Sequence, residues 1–228
     1  MNNMLVAVWT VAMLGMVTSA MASPVNLSFE TGDLSGWSVS NPLGISEFDG
    51  IVPAGSVQVV QNWPWGGAPG PVDGLSMAAV GTGNAWFLPG QGQFEIDIHQ
   101  SFTLDGGMSI SGSSFFFNGD YAEQDAAWVR ILDASGNILA VPWLQYSGTA
   151  NSTPYQSSSA WGNWQWVAPT AGNYTLALGV STKGDNRFAT FGIHDGIRVP
   201  EPSSLALLTV GVGVLLVRKT QGRRRKVD

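Results

Sequence analysis

Apolar and polar residues alternate with a period of two over several short segments of this chain. In the clearest, Gln93–His99, three apolar residues alternate with three polar ones, as in a strand with one buried face. The apolar set is Phe94, Ile96 and Ile98, and the polar set is Glu95, Asp97 and His99. Turns rich in glycine, proline, serine and asparagine separate the segments, and none keeps a helical period.

The other predicted strands are Val57–Gln61, Ser109–Phe117, Ala127–Leu132, Ile138–Val141, Trp161–Val167, Tyr174–Val180 and Phe188–Arg198. The segment Asp133–Asn137 has the composition of a hairpin turn that leads into Ile138. Together these patterns predict about nine strands and an all-β fold, an antiparallel jelly-roll β-sandwich.

The N-terminal residues depart from this alternation. Met4–Val17 is mostly apolar and is followed by Ala20-Met21-Ala22, the small-x-small pattern that signal peptidase cleaves. We therefore predict an N-terminal signal helix over residues 1–22, cleavage between Ala22 and Ser23, and export by the general secretion machinery. The remaining chain then divides into a β-sandwich ectodomain, residues 23–199, and a C-terminal segment, residues 200–228.

The C-terminal segment has three parts: the tripeptide Pro200-Glu201-Pro202, an uncharged stretch that ends at Val217, and a basic end. The two prolines fix φ and remove backbone donors, which keeps the tripeptide extended. The uncharged stretch spans roughly 22 Å as a helix, against a hydrocarbon core of ~30 Å, so snorkelling cations would complete the span. The basic residues are Arg218, Lys219, Arg223, Arg224, Arg225 and Lys226. This order predicts a short transmembrane helix with a cytoplasmic stop; a buried core helix with a basic end is the alternative.

The same three parts, in this order at the end of a chain with a signal peptide, resemble the PEP-CTERM sorting signal of Gram-negative bacteria. The resemblance implies that Pro200, Glu201 and Pro202 form the sorting motif read by an exosortase in the inner membrane. The protein would be anchored there transiently, and then released or attached at the cell surface amid exopolysaccharide. In that reaction the chain is the substrate and supplies no catalytic residue.

The segment between the two ends is strongly acidic. Residues 23–199 carry fourteen Asp and Glu against four Lys and Arg, a net charge of −10, whereas the whole chain has −6. Nucleic acid is excluded as a partner, because phosphate neutralisation needs clusters of Lys and Arg. The chain has no cysteine, which excludes disulfides, thiol catalysis and thiolate metal sites.

Both ends of the ectodomain carry a second resemblance. Asn26–Trp37 is similar to the opening strand of carbohydrate-binding-module-like, galactose-binding-like jelly rolls, and Ile193–Val199 to the closing strand, which carries an Asp. The resemblance implies adjacent first and last strands with a structural calcium between them, held by Glu30 and Asp195. The alternative is that both acids stabilise turns without an ion. No other cofactor is predicted.

Tryptophans are the other candidate binding residues. Trp63 and Trp65 lie in a Gly/Pro-rich loop, where two indoles either stack on sugar rings as a glycan-binding platform or enter the core. Trp164 and Trp166 share one face of a predicted strand and are expected in the core.

Catalytic residues find little support in the sequence. His99 and His194 lack a nucleophile motif or metal-ligand spacing and are predicted to be satisfied or exposed histidines. The densest acidic group, Asp120, Glu123 and Asp125, is predicted to be a solvated loop; a second cation site and a catalytic dyad are the less favoured alternatives. The sequence thus predicts an exported, non-enzymatic surface or extracellular-matrix protein sorted by exosortase. The alternatives are a carbohydrate-binding module that recognises exopolysaccharide and, less favoured, a glycan hydrolase.

Overall fold

The computed structural model describes residues 24–40, 57–65, 67–82, 94–119, 125–147, 153–182 and 190–200. Over these residues every regular element is a β-strand, and no helix is long and apolar enough to span a membrane. The predicted signal helix and transmembrane helix lie outside the described residues, and both stay predictions.

The described strands are β1 (Ser38–Ser40), β2 (Val57–Val60), β3 (Met77–Gly81), β4 (Phe94–Leu104), β5 (Ser109–Asn118), β6 (Ala126–Leu132), β7 (Ile138–Tyr146), β8 (Ser157–Ser158), β9 (Gly162–Val167), β10 (Gly172–Thr182) and β11 (Phe191–Arg198). They form a five-stranded sheet in the order β1-β4-β10-β6-β7 and a six-stranded sheet in the order β2-β3-β11-β5-β8, with β9 also paired to β5. All pairings are antiparallel. The prediction of an all-β, two-sheet antiparallel sandwich is confirmed, and the orders β3-β11-β5-β9 and β4-β10-β6-β7 are those of a jelly roll.

The main core lies between the two sheets and is built from alternate residues of their strands. Ile96 and Ile98 are fully buried there, as their alternation predicts. Trp164 is buried in the same core and Trp166 packs against it, which confirms the prediction for this pair. A second group of buried residues, here called the aromatic cluster, lies on the outer face of the six-stranded sheet. Its members are Trp63, Met77, Ala79, Phe115, Phe117, Phe191 and Ile193.

The segment that precedes β1 is a series of turns, whereas the sequence predicted an opening strand over Asn26–Trp37. Asn26 and Phe29 have φ values of 52° and 62°, in the left-handed region that no strand residue occupies. Phe29 is held there because its ring is fully buried and stacks on Trp37, with 5.2 Å between ring centroids. Burial of this ring therefore overrides the extended conformation.

The hairpin between β6 and β7 confirms the turn predicted at Asp133–Asn137. The Asp133 carboxylate accepts hydrogen bonds from the backbone N–H groups of Ser135 and Asn137, at 2.8 and 2.9 Å. The Asn137 side-chain amide also donates to this carboxylate, at 2.9 Å, and it contributes most to lowering the pKa of Asp133, followed by the Asn137 backbone N–H. β7 then continues through Pro142 to Tyr146, beyond the predicted end at Val141. Proline is tolerated because β7 is an edge strand, where one side of the backbone needs no partner.

Candidate functional site

Charged and aromatic residues lie beside small ones on the outer face of the five-stranded sheet. On β4, Ile96 and Ile98 point into the core, so the intervening residues point outward, as the sequence predicted. The outward residues of β4, β10 and β6 are here called the polar face. They are Glu95, Asp97 and His99 on β4, Ala177, Gly179 and Ser181 on β10, and Trp128 and Arg130 on β6.

Strand register places the small residues of β10 in the middle of the polar face. Ala177 is paired with His99 on one side and Arg130 on the other. Gly179 lies in the same way between Asp97 and Trp128. Since β10 contributes almost no side-chain volume, it forms the floor of a trough with larger side chains on both sides.

An ion pair crosses this floor. Arg130 Nη1 and Nη2 donate to the two carboxylate oxygens of Glu95, at 2.9 and 3.0 Å. The Arg130 guanidinium carbon also lies 3.6 Å from the centre of the Trp128 ring system, a cation–π contact. The two parallel hydrogen bonds between Arg130 and Glu95 fix the planes of both charged groups, because they leave little freedom of rotation.

Trp128 reaches its position because β10 has a glycine beneath it. A Cβ added at Gly179 would lie 2.4 Å from Trp128 Cζ2, closer than any side chain tolerates. With Gly179 below and Arg130 above, the indole is only 2% exposed. Its Nε1 has no hydrogen-bond partner in the part of the chain that the structure describes.

A second polar pair lies on the β1 side of the trough. His99 Nδ1 is 2.9 Å from Asp97 Oδ1, and the Ser40 hydroxyl donates to the same oxygen at 2.7 Å. The hydrogen bond with Asp97 raises the pKa of His99, against the opposing effect of partial burial. The imidazole is therefore more readily protonated than a free histidine, and about a third of its side chain remains exposed.

Hydroxyl groups continue the polar face along β4 and β10. Ser101 and Thr175 share a hydrogen bond of 3.0 Å, and Thr103 donates to the Asn173 amide oxygen at 2.7 Å. These four residues and Ala134 of the β6–β7 turn line a cavity of about 400 Å³. Uncharged hydroxyl and amide groups thus follow the charged ones along the same two strands.

Glu30 and Asp195, the predicted calcium ligands, both bind the loop formed by residues 72–76. The Glu30 carboxylate accepts hydrogen bonds from the backbone N–H groups of Leu75 and Ser76, at 2.9 to 3.1 Å. Asp195 Oδ2 accepts from Val72 and Asp73, at 2.7 and 3.0 Å.

Asp195 also accepts a hydrogen bond from the backbone N–H of Gly196. Burial raises the pKa of Asp195, and its three amide bonds oppose that shift. The oxygens of both acids thus face N–H donors, whereas calcium requires six to eight oxygen ligands. No group of three or more His, Cys, Asp or Glu able to hold a metal occurs among the described residues. These contacts match the alternative of turn-stabilising acids, and calcium at Glu30 and Asp195 stays a prediction.

The two loop tryptophans occupy different environments. Trp63 is only 6% exposed and packs in the aromatic cluster, with ring centroids 4.6 Å from Phe191 and 5.7 Å from Phe117. It therefore offers no face to a sugar, contrary to the platform interpretation. Trp65 is 53% exposed and meets Trp63 edge to face, at 87°. The predicted role in glycan binding remains open for Trp65 alone.

Other predicted residues are placed as follows. His194 is fully buried, with Nδ1 2.9 Å from the Ser114 hydroxyl. Asp125 is also buried and accepts a hydrogen bond from the Thr190 hydroxyl, so the prediction of a solvated loop is wrong at this residue. Pro200 follows β11 and is exposed. Outside the described residues lie Ala20, Ala22, Asp120, Glu123, Glu201, Pro202 and the six basic residues of the C-terminal segment.

Sequence reasoning missed Trp128, Arg130 and Gly179 as members of a site. A signal for the first two was present, because they flank Val129 at i and i+2 and therefore share one strand face. The role of Gly179 had no local signal, since it depends on which strand lies beside β6.

No protein-family model and no curated protein matches the chain. Among solved structures, the chain is similar to TmCBM61 in complex with β-1,4-galactotriose, at 18% identity over 78% of this chain and 97% of that one, with a TM-score of 0.44. It is also similar to a family 16 carbohydrate-binding module, at 12% identity over 78% and 99% of the two chains, TM-score 0.40. A third is the K1 cleaved adhesin domain of Lys-gingipain from Porphyromonas gingivalis W83, at 15% identity over 76% and 96%, TM-score 0.42. These values are too low for any site residue to be transferred.

Proposed function

We propose that the protein binds a neutral saccharide on the polar face. The observation that carries this proposal is the arrangement of two fixed polar pairs on a floor of small residues: Glu95–Arg130 spans the floor, and Asp97–His99 lies along its β4 side. Each charge on this face already has a partner of opposite sign or a hydrogen bond. An uncharged ligand rich in hydroxyl groups therefore fits better than an ion.

Saccharide hydroxyls both donate and accept hydrogen bonds, and adjacent hydroxyls present two such groups at once. Carboxylate and guanidinium groups can meet such pairs with two parallel bonds, and the His99 ring, whose Nδ1 is bonded to Asp97, can add one bond through Nε2. At the β7 end of the face, Tyr146 is exposed and offers an aromatic ring for stacking against a sugar.

The test is a screen of purified full-length protein on an array of neutral glycans, followed by calorimetric titration with the strongest ligand. Replacing His99 by Ala or Arg130 by Gln should weaken binding about tenfold or more, because one charged hydrogen bond contributes roughly 1.5–3 kcal/mol. Arg198→Gln, on the opposite sheet, should leave the affinity unchanged. The proposal fails if no neutral glycan binds, or if both polar-face variants melt and bind like the wild type.

We further propose that the domain acts outside the cell as a non-catalytic binding protein, after export and exosortase processing at Pro200-Glu201-Pro202. The order of motif, apolar stretch and basic end supports this route. In cells that contain an exosortase, mass spectrometry of the mature protein should find that residues 203–228 have been removed. Substituting both Pro200 and Pro202 by Ala should block the cleavage. Recovery of an intact basic end on extracellular protein would contradict the proposal.

A further inference from the structure

The outer face of the six-stranded sheet contains an open groove of about 560 Å³, here called the polar groove. Six of the nine residues that line it supply its side chains from four parts of the chain. They are Val72 before β3, Ser111 and Ser113 on β5, Asn163 and Gln165 on β9, and Arg198 at the end of β11. Its volume lies within the range of roughly 300–1,000 Å³ usual for small-molecule sites.

The groove exists because the outward side chains of β5 are large and aromatic at one end of the strand and small and polar at the other. Toward its C-terminal end this face carries Phe115 and Phe117, which are buried in the aromatic cluster beneath Trp63. Toward its N-terminal end the same face carries Ser111 and Ser113, two short polar side chains beside a cavity. The uncovered half of the sheet is therefore hydrophilic, which distinguishes it from an incomplete core.

Hydrogen bonds hold both walls of the groove in place. Val72 forms part of one wall, and its backbone N–H donates to the buried Asp195 carboxylate at 2.7 Å. On the opposite side, the Ser113 hydroxyl donates to the Asn163 amide oxygen at 2.8 Å. No described residue accepts a hydrogen bond from the Asn163 amide nitrogen, which remains able to donate to a ligand.

Arg198 determines the charge of a ligand that fits. Its side chain is 65% exposed, and its described ionic contact is Asp73, 3.7 Å away and beyond hydrogen-bond distance. By contrast, the Arg130 guanidinium on the opposite sheet is held by the two hydrogen bonds that it donates to Glu95. Arg198 is thus a cation with open donors, in an ectodomain that has only four basic residues.

We infer that the polar groove is a second binding site, which takes a saccharide unit bearing a carboxylate, such as a uronic acid of an acidic polysaccharide. Arg198 pairs with the carboxylate, displacing its loose contact with Asp73. The serine hydroxyls and the amides of Asn163 and Gln165 bind ring hydroxyls. This site shares the class of ligand with the proposed function and uses none of the same residues.

The test is a titration of purified full-length protein with trigalacturonate and, as a matched neutral ligand, its fully methyl-esterified form, followed by calorimetry. In the Arg130→Gln background, which removes the polar face as a site for the ester, the acid should bind and the ester should bind at least about tenfold more weakly, because one charged pair is lost. Arg198→Gln should reduce acid binding to the level of the ester, and Asn163→Ala should weaken it severalfold. Arg130→Gln should leave acid binding unchanged. Thermal melting of each variant checks that it folds.

Each failure has a distinct meaning. Absence of acid binding, equal binding of acid and ester, or an Arg198→Gln variant that binds normally would each overturn the second site. Loss of acid binding in Arg130→Gln would place the acidic ligand on the polar face and also overturn it. If the proposed function holds, Arg198→Gln should still bind neutral glycans, whatever the result with the acid. The proposal for the polar face and the proposal for the polar groove can therefore be refuted separately.

Discussion

His194 is a titratable residue inside the core between the sheets. Its ring lies edge to face against Trp143, and its Nδ1 is bonded to the Ser114 hydroxyl, which also accepts a hydrogen bond from Trp164 Nε1. Its Nε2 has no partner among the described residues. Burial lowers the pKa of His194 from 6.5 to about 3, so the folded protein keeps this ring neutral.

This burial predicts a loss of stability in acid. The unfolded chain takes up a proton at His194 below pH 6.5, whereas the folded protein does so only near pH 3. Between these values the unfolded state binds more protons, and stability falls as the pH is lowered. At pH 4 this difference in proton uptake lowers the free energy of unfolding by about 3 kcal/mol relative to pH 7. Urea unfolding at pH 7 and pH 4 should therefore show a larger stability loss in the wild type than in His194→Gln. Other groups, including Asp195, titrate in both proteins and cancel. Equal losses would show that the imidazole is accessible to protons.

Gly179 leaves room on β10 for the Trp128 ring. Alanine there would place its Cβ 2.4 Å from the Trp128 ring and 2.8 Å from the carbonyl oxygen of Ile96, and the indole would have to leave the floor of the trough. Overpacking of this kind costs about 1–3 kcal/mol, which lowers the melting temperature by roughly 3–10 °C in a domain of this size. Binding of a neutral glycan should weaken as well, since Arg130 rests on Trp128.

Gly70→Ala is the matched control for this substitution. Gly70 has no atom within 4 Å of an added Cβ and does not have a positive φ, so its melting temperature and binding should match the wild type. If Gly179→Ala also behaves like the wild type, Trp128 is not held against the sheet.

Individual strands differ in how well the alternation of residues predicts them. β4 is half buried, so its period of two is visible in the sequence, although the strand runs on to Leu104. β3 was not predicted, because all five of its residues are buried and no polar residue marks an exposed face. The turns before β1 were predicted as a strand, since nothing local shows that Phe29 adopts a positive φ.

The 72–76 loop gives a prediction at the scale of an element. Glu30→Ala leaves the N–H groups of Leu75 and Ser76 without their acceptor and should destabilise the protein by about 1–2 kcal/mol. Glu30→Gln retains one acceptor oxygen and should have a smaller effect. The Glu30 carboxylate already accepts bonds from the Leu75 and Ser76 amides. Adding about 5 mM calcium, or a chelator, should therefore leave the wild-type melting temperature unchanged within about 1 °C. A calcium-dependent rise that Glu30→Ala abolishes would instead establish a metal site.

At the scale of the whole molecule, each binding face combines residues from strands that are distant in sequence. Glu95 and Arg130 meet only because β10 lies between β4 and β6, an order that follows from the jelly-roll connections. The sequence predicts which residues of β4 face outward, but it does not specify which strands lie opposite them. The same limit applies to the polar groove, whose residues come from β5, β9 and β11. A site of this kind becomes visible only when the register of the sheets is known.

The boundary between ectodomain and C-terminal segment gives the last prediction. β11 ends at Arg198 in the six-stranded sheet, and the described members of the core between the two sheets run from Leu27 to Val199. A truncated protein that ends at Pro200, made by a stop codon in place of the Glu201 codon, should therefore fold normally and melt within about 1 °C of the full-length protein. It should also move from the membrane fraction to the soluble fraction of the exporting cells, because it lacks the apolar stretch and the basic stop. A melting temperature lowered by several degrees would mean that residues 201–228 pack against the sandwich, and they would then belong to the folded domain.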